Sequence, residues 1–357
     1  MRKVSKKRCA WLARNQRIRN ASKLFNAGVA RRSVRKPRDT LIAPPYFCLV
    51  PSNGERSEAS IAFLKFVRQI RTFQGKALRI DMTRVQRMVV NATLLFKAEL
   101  SYQIQRGVTI TGIEPRKERT YQVMTQTGLT ELLGLPGCKK VDREDTVHWR
   151  HVSGAWNITQ PSRLGGLLTG QEAQDSALYT GLIESVSNCI EHAYRAHPQR
   201  RVFLGSQDGW WGFQQLRDGE LSTCICDLGI GIAKSLPIKL AEEPGLHAKL
   251  MSIFRHLRGN DIKSILAAIE YGRSSTGSDE RGKGLRDAHS VIDNAGSGHF
   301  HIFSNRGMYF YNKEKGKDSD AGTRKLAESI EGTIYYWRHP IQSQTYAGLA
   351  PVQGALS

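Results

Sequence analysis

This chain of 357 residues has no uncharged apolar run long enough to cross a bilayer, so no segment is expected to span a membrane as a helix. Cysteine is sparse. The six residues form no CxxC pair and no cluster with histidine at zinc spacing, which excludes zinc-ribbon and redox-motif readings. Free thiols in a reducing compartment, the cytoplasm, are the expectation. A GxxxxGK[ST] loop is missing, which excludes a Walker-type phosphate site, and so is the GxSxG elbow of serine hydrolases. No zinc-finger or RNA-recognition signature supports base-specific reading. Acid is almost missing from the first forty residues, where Asp39 stands against 14 lysines and arginines. Most of the formal net charge of +21 therefore belongs to an N-terminal arm, and the rest of the chain is mildly basic.

What is present falls into four expected segments: a basic arm (1–40), a small α/β region (41–145), a larger α/β domain (146–340) and a C-terminal tail (341–357). In the arm, Trp11, Ile18 and Phe25 recur every seven residues among arginines and lysines, the pattern of a basic amphipathic helix. Residues 1–38 suit nucleic-acid phosphates, an anionic membrane or partner surface, a transit peptide, or a solvated tail.

The middle region alternates. Ser57–Thr72 reads as a helix, Ala77–Met82 as a strand ending in an acid, Val90–Gln105 as a helix, Val108–Thr111 as a strand, and Glu118–Leu133 as a helix closed by Gly134. Short links between them imply a parallel βαβ unit. With "LRIDMTRV" and "TGLTELLGL" in this order, the region resembles a STAS domain, the fold of anti-sigma-factor antagonists. It departs from that family at the phosphorylated serine, where Val89-Val90-Asn91-Ala92 stands, so a docking or structural role is expected rather than a phosphoserine switch.

Four stretches of the larger domain carry the chemistry. On a helix through 178–194, Glu184, Asn188 and His192 fall four apart on one face, with Gly181 beside them and an apolar face opposite. An acceptor-rich row of that kind suits a hydrated magnesium ion bound with phosphates. In "LSTCICDLGIGI" a strand delivers Asp227 at its end, and Gly229 and Gly231 allow a tight turn and close approach of a flat ligand. A carboxylate there can accept from an exocyclic amine such as adenine N6. In "GRSSTGSDERGKGL", Gly282 and Gly284 bracket Lys283 before a helical pattern, which makes a backbone phosphate cradle; Arg281 adds charge and Thr276 a hydroxyl. Thr333 opens the strand-like "GTIYYW".

The order and spacing of these stretches resemble the Bergerat-fold, histidine-kinase-like ATPases, and "ESVSNCIEHAY" is most similar to the anti-sigma-factor serine kinases. The resemblance implies an α/β sandwich, a mixed sheet with helices on one face. ATP and magnesium are the implied cofactors. Asn188 would hold the metal, Glu184 would be the catalytic base, and Asp227 with Thr333 would bind adenine. His192 would join the nucleotide contacts, Gly229 and Gly231 would line the base, and Gly282, Lys283 and Gly284 would wrap the phosphates. Residues 233–275 would form a lid, with helices at Ala248–Leu257 and Asp261–Tyr271. ATP hydrolysis, serine phosphorylation and nucleotide binding delivered to nucleic acid are the alternative activities, with a protein partner or a second copy of the chain implied.

Overall fold

The computed structural model describes residues 39–50, 55–157, 161–168, 175–204, 207–242, 260–274 and 284–341. The basic arm, the helix expected at 248–257, most of the second glycine stretch and the tail beyond Ile341 lie outside them. From Leu41 onward the described chain packs as one compact α/β unit.

The N-terminal part follows its hydrophobic pattern. Strand β1 (Thr40–Ile42), β2 (Tyr46–Phe47), helix α1 (Glu55–Arg71), β3 (Ala77–Asp81), β4 (Arg87–Met88), α2 (Val90–Gln105) and β5 (Thr109–Ile113) come in order. β3 and β5 pair in parallel, as expected, in a sheet of order β1-β3-β5, and β2 pairs with β4. The helix expected over 118–133 is two helices, α3 (Glu118–Gln126) and α4 (Leu129–Leu132). Gly128, at φ 68°, breaks it, because a left-handed backbone cannot continue an α-helix. Helix α5 (Glu144–Val147) follows.

The larger part is a seven-stranded sheet of order β11-β10-β9-β12-β8-β7-β6. Its strands are β6 (Trp149–Ala155), β7 (Asp208–Arg217), β8 (Glu220–Asp227), β9 (Gly298–Ser304), β10 (Gly307–Lys313), β11 (Asp320–Lys325) and β12 (Thr333–Pro340). Every ladder in it is antiparallel, which corrects the expectation of a mixed sheet. The helices of this part are α6 (Pro161–Leu164), α7 (Ser176–Asn188), α8 (Ile232–Ala241), α9 (Asp261–Ser274) and α10 (Gly284–Ala295). α7, α9 and α10 pack over one sheet face through Leu182, Ile265, Val291, Phe300 and Trp337. The Trp337 indole stacks on Phe300 and donates to Ala288 O at 2.9 Å, tying β12 to α10.

The other face is not bare. Helix α2 lies against β7 and β8, and its Leu94, Phe96 and Ala98 share a core with Phe213, Cys224, Cys226 and Ile334. Helices therefore cover both faces, and packing runs across the boundary expected at 145–146. The sheet's inner strands are buried on both sides. Trp210 enters the core under α7 and Trp211 the core under α2, so "GWWGF" is a wholly buried strand. Cys224 and Cys226 share one face with Ile225 on the other, as their alternation predicts. His151 sits in β6 with its Nδ1 2.9 Å from the Lys97 ammonium.

Candidate functional site

The stretch Glu184–His192 is not one regular α-helix. α7 ends at Asn188 and Cys189–Ala193 form a π-helical turn, a wide turn that recurs at functional sites. This turn gives the Ala193 carbonyl oxygen to the Ile230 N–H at 2.8 Å and so docks the glycine loop of Asp227 on the helix end. Gly181 is also placed differently from the expectation. It is buried, and a Cβ there would sit 3.4 Å from the Trp337 ring, because the first turns of that helix face are roofed by β12 and α10. Only the far end of the row opens outward. Glu184, Asn188 and His192 are each half-buried.

Sheet register assembles the other wall. Thr333 pairs with Asp227 on one side and with Ser304 on the other, so three side chains from β8, β12 and β9 form one row. Asp227 is 2% exposed. Its Oδ1 accepts from Gly229 N–H at 2.8 Å and Thr333 N–H at 3.2 Å, and the Cys189 thiol lies 3.6 Å from Oδ2. Burial pushes this carboxyl up to about 6, against the opposing pull of those hydrogen bonds. The Thr333 hydroxyl lies 3.4 Å from Ser304 Oγ, which accepts the Ile232 N–H at 2.8 Å and anchors the start of α8. Gly231, at φ 75°, passes so close to the Asn305 amide that a side chain would overlap it. Asn305 Nδ2 donates to Ile230 O at 3.1 Å and holds the loop from below.

These elements enclose a cavity of about 70 Å³, lined by Asn188, His192, Asp227, Gly231 and Thr333 together with residues of α8 and α9 and Tyr335. That is several times the ~10–15 Å³ that one water needs. Three separated stretches named from sequence thus meet at one space. Glu184 lies one helical turn before Asn188 and outside the lining. Gly229 sits behind the wall against Ala193. Gly284 opens α10, which packs along α7. Thr276, Arg281, Gly282 and Lys283 lie outside the described residues.

Sequence reading missed Lys239. From α8 it brings its ammonium to 3.2 Å from His192 Nε2, and both line the cavity. Burial first, then Lys239 and Arg195, lower the His192 pKa to about 4. The neutral ring accepts from Lys239 at Nε2, which puts its own proton on Nδ1. Nδ1 is buried with no hydrogen-bond partner among the described residues. The cavity lining thus combines a buried acceptor, Asp227, with the Lys239–His192 pair.

His299 and His301 alternate on β9, and both reach Asn312 Oδ1. No group of three or more His, Cys, Asp or Glu able to hold a metal occurs among the described residues, and none of the described helices is long and apolar enough to cross a membrane. No protein-family model and no curated protein matches the chain.

Proposed function

We propose that the chain is an ATP-binding protein of the histidine-kinase-like, Bergerat-fold class, acting in ATP hydrolysis or phosphoryl transfer. The observation that carries this reading is the convergence of Asn188, Asp227 and Thr333, distant in sequence, on one cavity. The layer of α7, α9 and α10 over one sheet face supports a sandwich, although the sheet is antiparallel and α2 covers its other face, and the parallel β3–α2–β5 unit supports a STAS-like N-terminal region.

Asp227 is the adenine reader. Its Oδ1 accepts from two backbone donors and Oδ2 has the weak thiol donor of Cys189 beside it, which leaves acceptor capacity for the exocyclic amine. Thr333 orients that carboxylate from the neighbouring strand. His192 and Lys239 supply donors for the phosphate end. The protein donors fit magnesium only in part. Asn188 gives a single amide oxygen, which suits a metal that arrives with the phosphates and keeps its waters, not a protein-caged ion. When bound, magnesium would neutralise charge on the phosphates. Glu184, one turn before Asn188 and outside the lining, is read as the base that would take a proton from an attacking water or hydroxyl.

Calorimetric titration of ATP, with and without magnesium, tests the binding. Glu184→Ala is expected to bind ATP within a few-fold of wild type and to release phosphate about 100-fold more slowly. Unchanged phosphate release would remove Glu184 from the chemistry, and a wild-type chain that takes up no ATP would end the reading. Labelled γ-phosphate recovered on a protein serine would select the serine-kinase form. The nucleic-acid alternative rests on residues 1–38, outside the described part, and is read by salt-dependent binding lost on their removal.

A further inference from the structure

The side of the cavity that carries Thr333 is held from outside the larger domain. Glu99, on α2, is fully buried. It accepts from Arg71 Nε at 2.8 Å and from both terminal nitrogens of Arg201 at 2.7 and 2.8 Å. Burial works against its charge, but the Arg201 and Arg71 guanidiniums outweigh it and hold the carboxyl below the usual carboxylate range. Arg71, in the last turn of α1, then spends its two remaining nitrogens on the Ser329 and Ile330 carbonyls, at 2.9 and 2.6 Å. The Glu331 carboxylate lies 3.3 Å from the same guanidinium.

The segment so gripped leads straight to the site. Glu331 has φ 48° and Gly332 φ 155°, and a side chain at Gly332 would overlap the Asp227 carbonyl. A left-handed non-glycine residue persists only where its surroundings over-determine it. Here Arg71 fixes one end, while Asn305 fixes the other by accepting from Ile330 N–H and donating its own N–H to Gly332 O. A buried ion cluster is a poor way to gain stability alone, since apolar residues of equal volume serve as well or better. A planar guanidinium fork instead specifies position.

We propose that Glu99, Arg71 and Arg201 form a clasp by which the N-terminal α/β region positions the Thr333 loop, and with it the base-reading pair Asp227–Thr333. Its ligand consequence rests on the nucleotide reading above; the clasp itself does not. Arg71 is the positioning residue, because it alone of the three touches the loop carbonyls. The N-terminal region is thereby part of the site's construction, and a change in α1 or α2 is transmitted to base selection.

The test uses the full chain carrying Arg71→Lys, which keeps the charge but loses the fork. Three readouts are taken: peptide-level hydrogen exchange, melting temperature, and competition of ATP and GTP against a fluorescent nucleotide. The expected result is faster exchange over 328–334 with that of β9 and β10 unchanged, ATP binding weaker by about 10-fold, and a smaller ATP-over-GTP preference. Arg201→Lys, at a guanidinium that meets Glu99 and the Tyr102 ring, is expected to disturb the loop less. Unchanged exchange over 328–334 overturns the clasp, as does a uniform rise across the sheet with a fall in melting temperature and an intact ATP-to-GTP ratio. If Arg71→Lys does not fold, Glu331→Gln at the half-exposed partner decides the question at smaller amplitude, local loosening supporting the clasp and none refuting it. If the wild type binds no nucleotide, the ATP reading fails, and exchange alone then judges the clasp.

Discussion

Asp227→Asn is expected to melt at a higher temperature than wild type at pH 8 and to bind ATP about 100-fold more weakly. Both effects come from one buried charge. The carboxyl is almost without solvent, and burial raises its pKa from 3.8 to about 6. The folded state therefore holds this proton more tightly than the unfolded state does. Its contribution to stability is fully present below about pH 4, where both states are protonated, and is lost as pH rises through 6. At pH 8 the ionised group costs the fold about 3 kcal/mol. Asparagine keeps an oxygen for the Gly229 and Thr333 N–H groups at 2.8 and 3.2 Å and removes the charge. The gain should reach several degrees at pH 8 and vanish by pH 4. The same change sets a donor against the adenine amine, so ATP loses affinity while GTP, whose O6 accepts, does not. Thermal melts from pH 4 to 8, with ATP and GTP titrations, read both halves. Superimposable melts at every pH would deny the buried charge, and undiminished ATP binding would deny the base contact.

The elements of this site are unequally visible in the sequence. An acid at the end of a β-branched strand, followed by two spaced glycines, announces a ligand-facing turn from local chemistry alone, and Asp227 is where that pattern puts it. Its pairing with Thr333 depends on β12 inserting between β8 and β9 after two further strands have formed at the edge, a fact of topology that no local window carries. Ser304, Asn305 and Lys239 are ordinary residues in ordinary settings until that register sets the first two under the Gly231 loop and the α8 packing brings Lys239 to the cavity. The π-helical turn at Cys189–Ala193 has no signature in residue type, so a row Glu184–Asn188–His192 laid on an ideal α-helix misses it. The cover over the second sheet face is readable in principle. Helix α2 is apolar on more than one side and buries Lys97, Glu99 and Gln103 as well, which is the pattern of a helix enclosed between layers and not of one lying on a surface. Its polar residues point to partners elsewhere in the chain, but which partners is a matter of the fold.

The joint between the π-turn and the Asp227 loop is where the site should be most easily broken, and Gly229→Ala is expected to break it. A Cβ at this position would overlap the Ala193 carbonyl oxygen and Cβ. Those are backbone and near-backbone atoms, so no side-chain rotation relieves the conflict. The same Ala193 oxygen accepts the Ile230 N–H at 2.8 Å, and parting the two segments to admit a methyl group would cost that bond too. The loss should be about 3 kcal/mol or more, with ATP binding lost as His192 and Asp227 move apart. Gly296→Ala is the control. Gly296 has φ 74°, but a Cβ there would meet nothing within 4 Å among the described residues, so only backbone strain of about 1 kcal/mol applies. Urea denaturation midpoints of the two variants separate contact from conformation. A Gly229→Ala chain no less stable than Gly296→Ala would mean that the glycine loop is not seated on the helix end, and the cavity would then lack the wall that brings its acceptor and its donors to face one ligand.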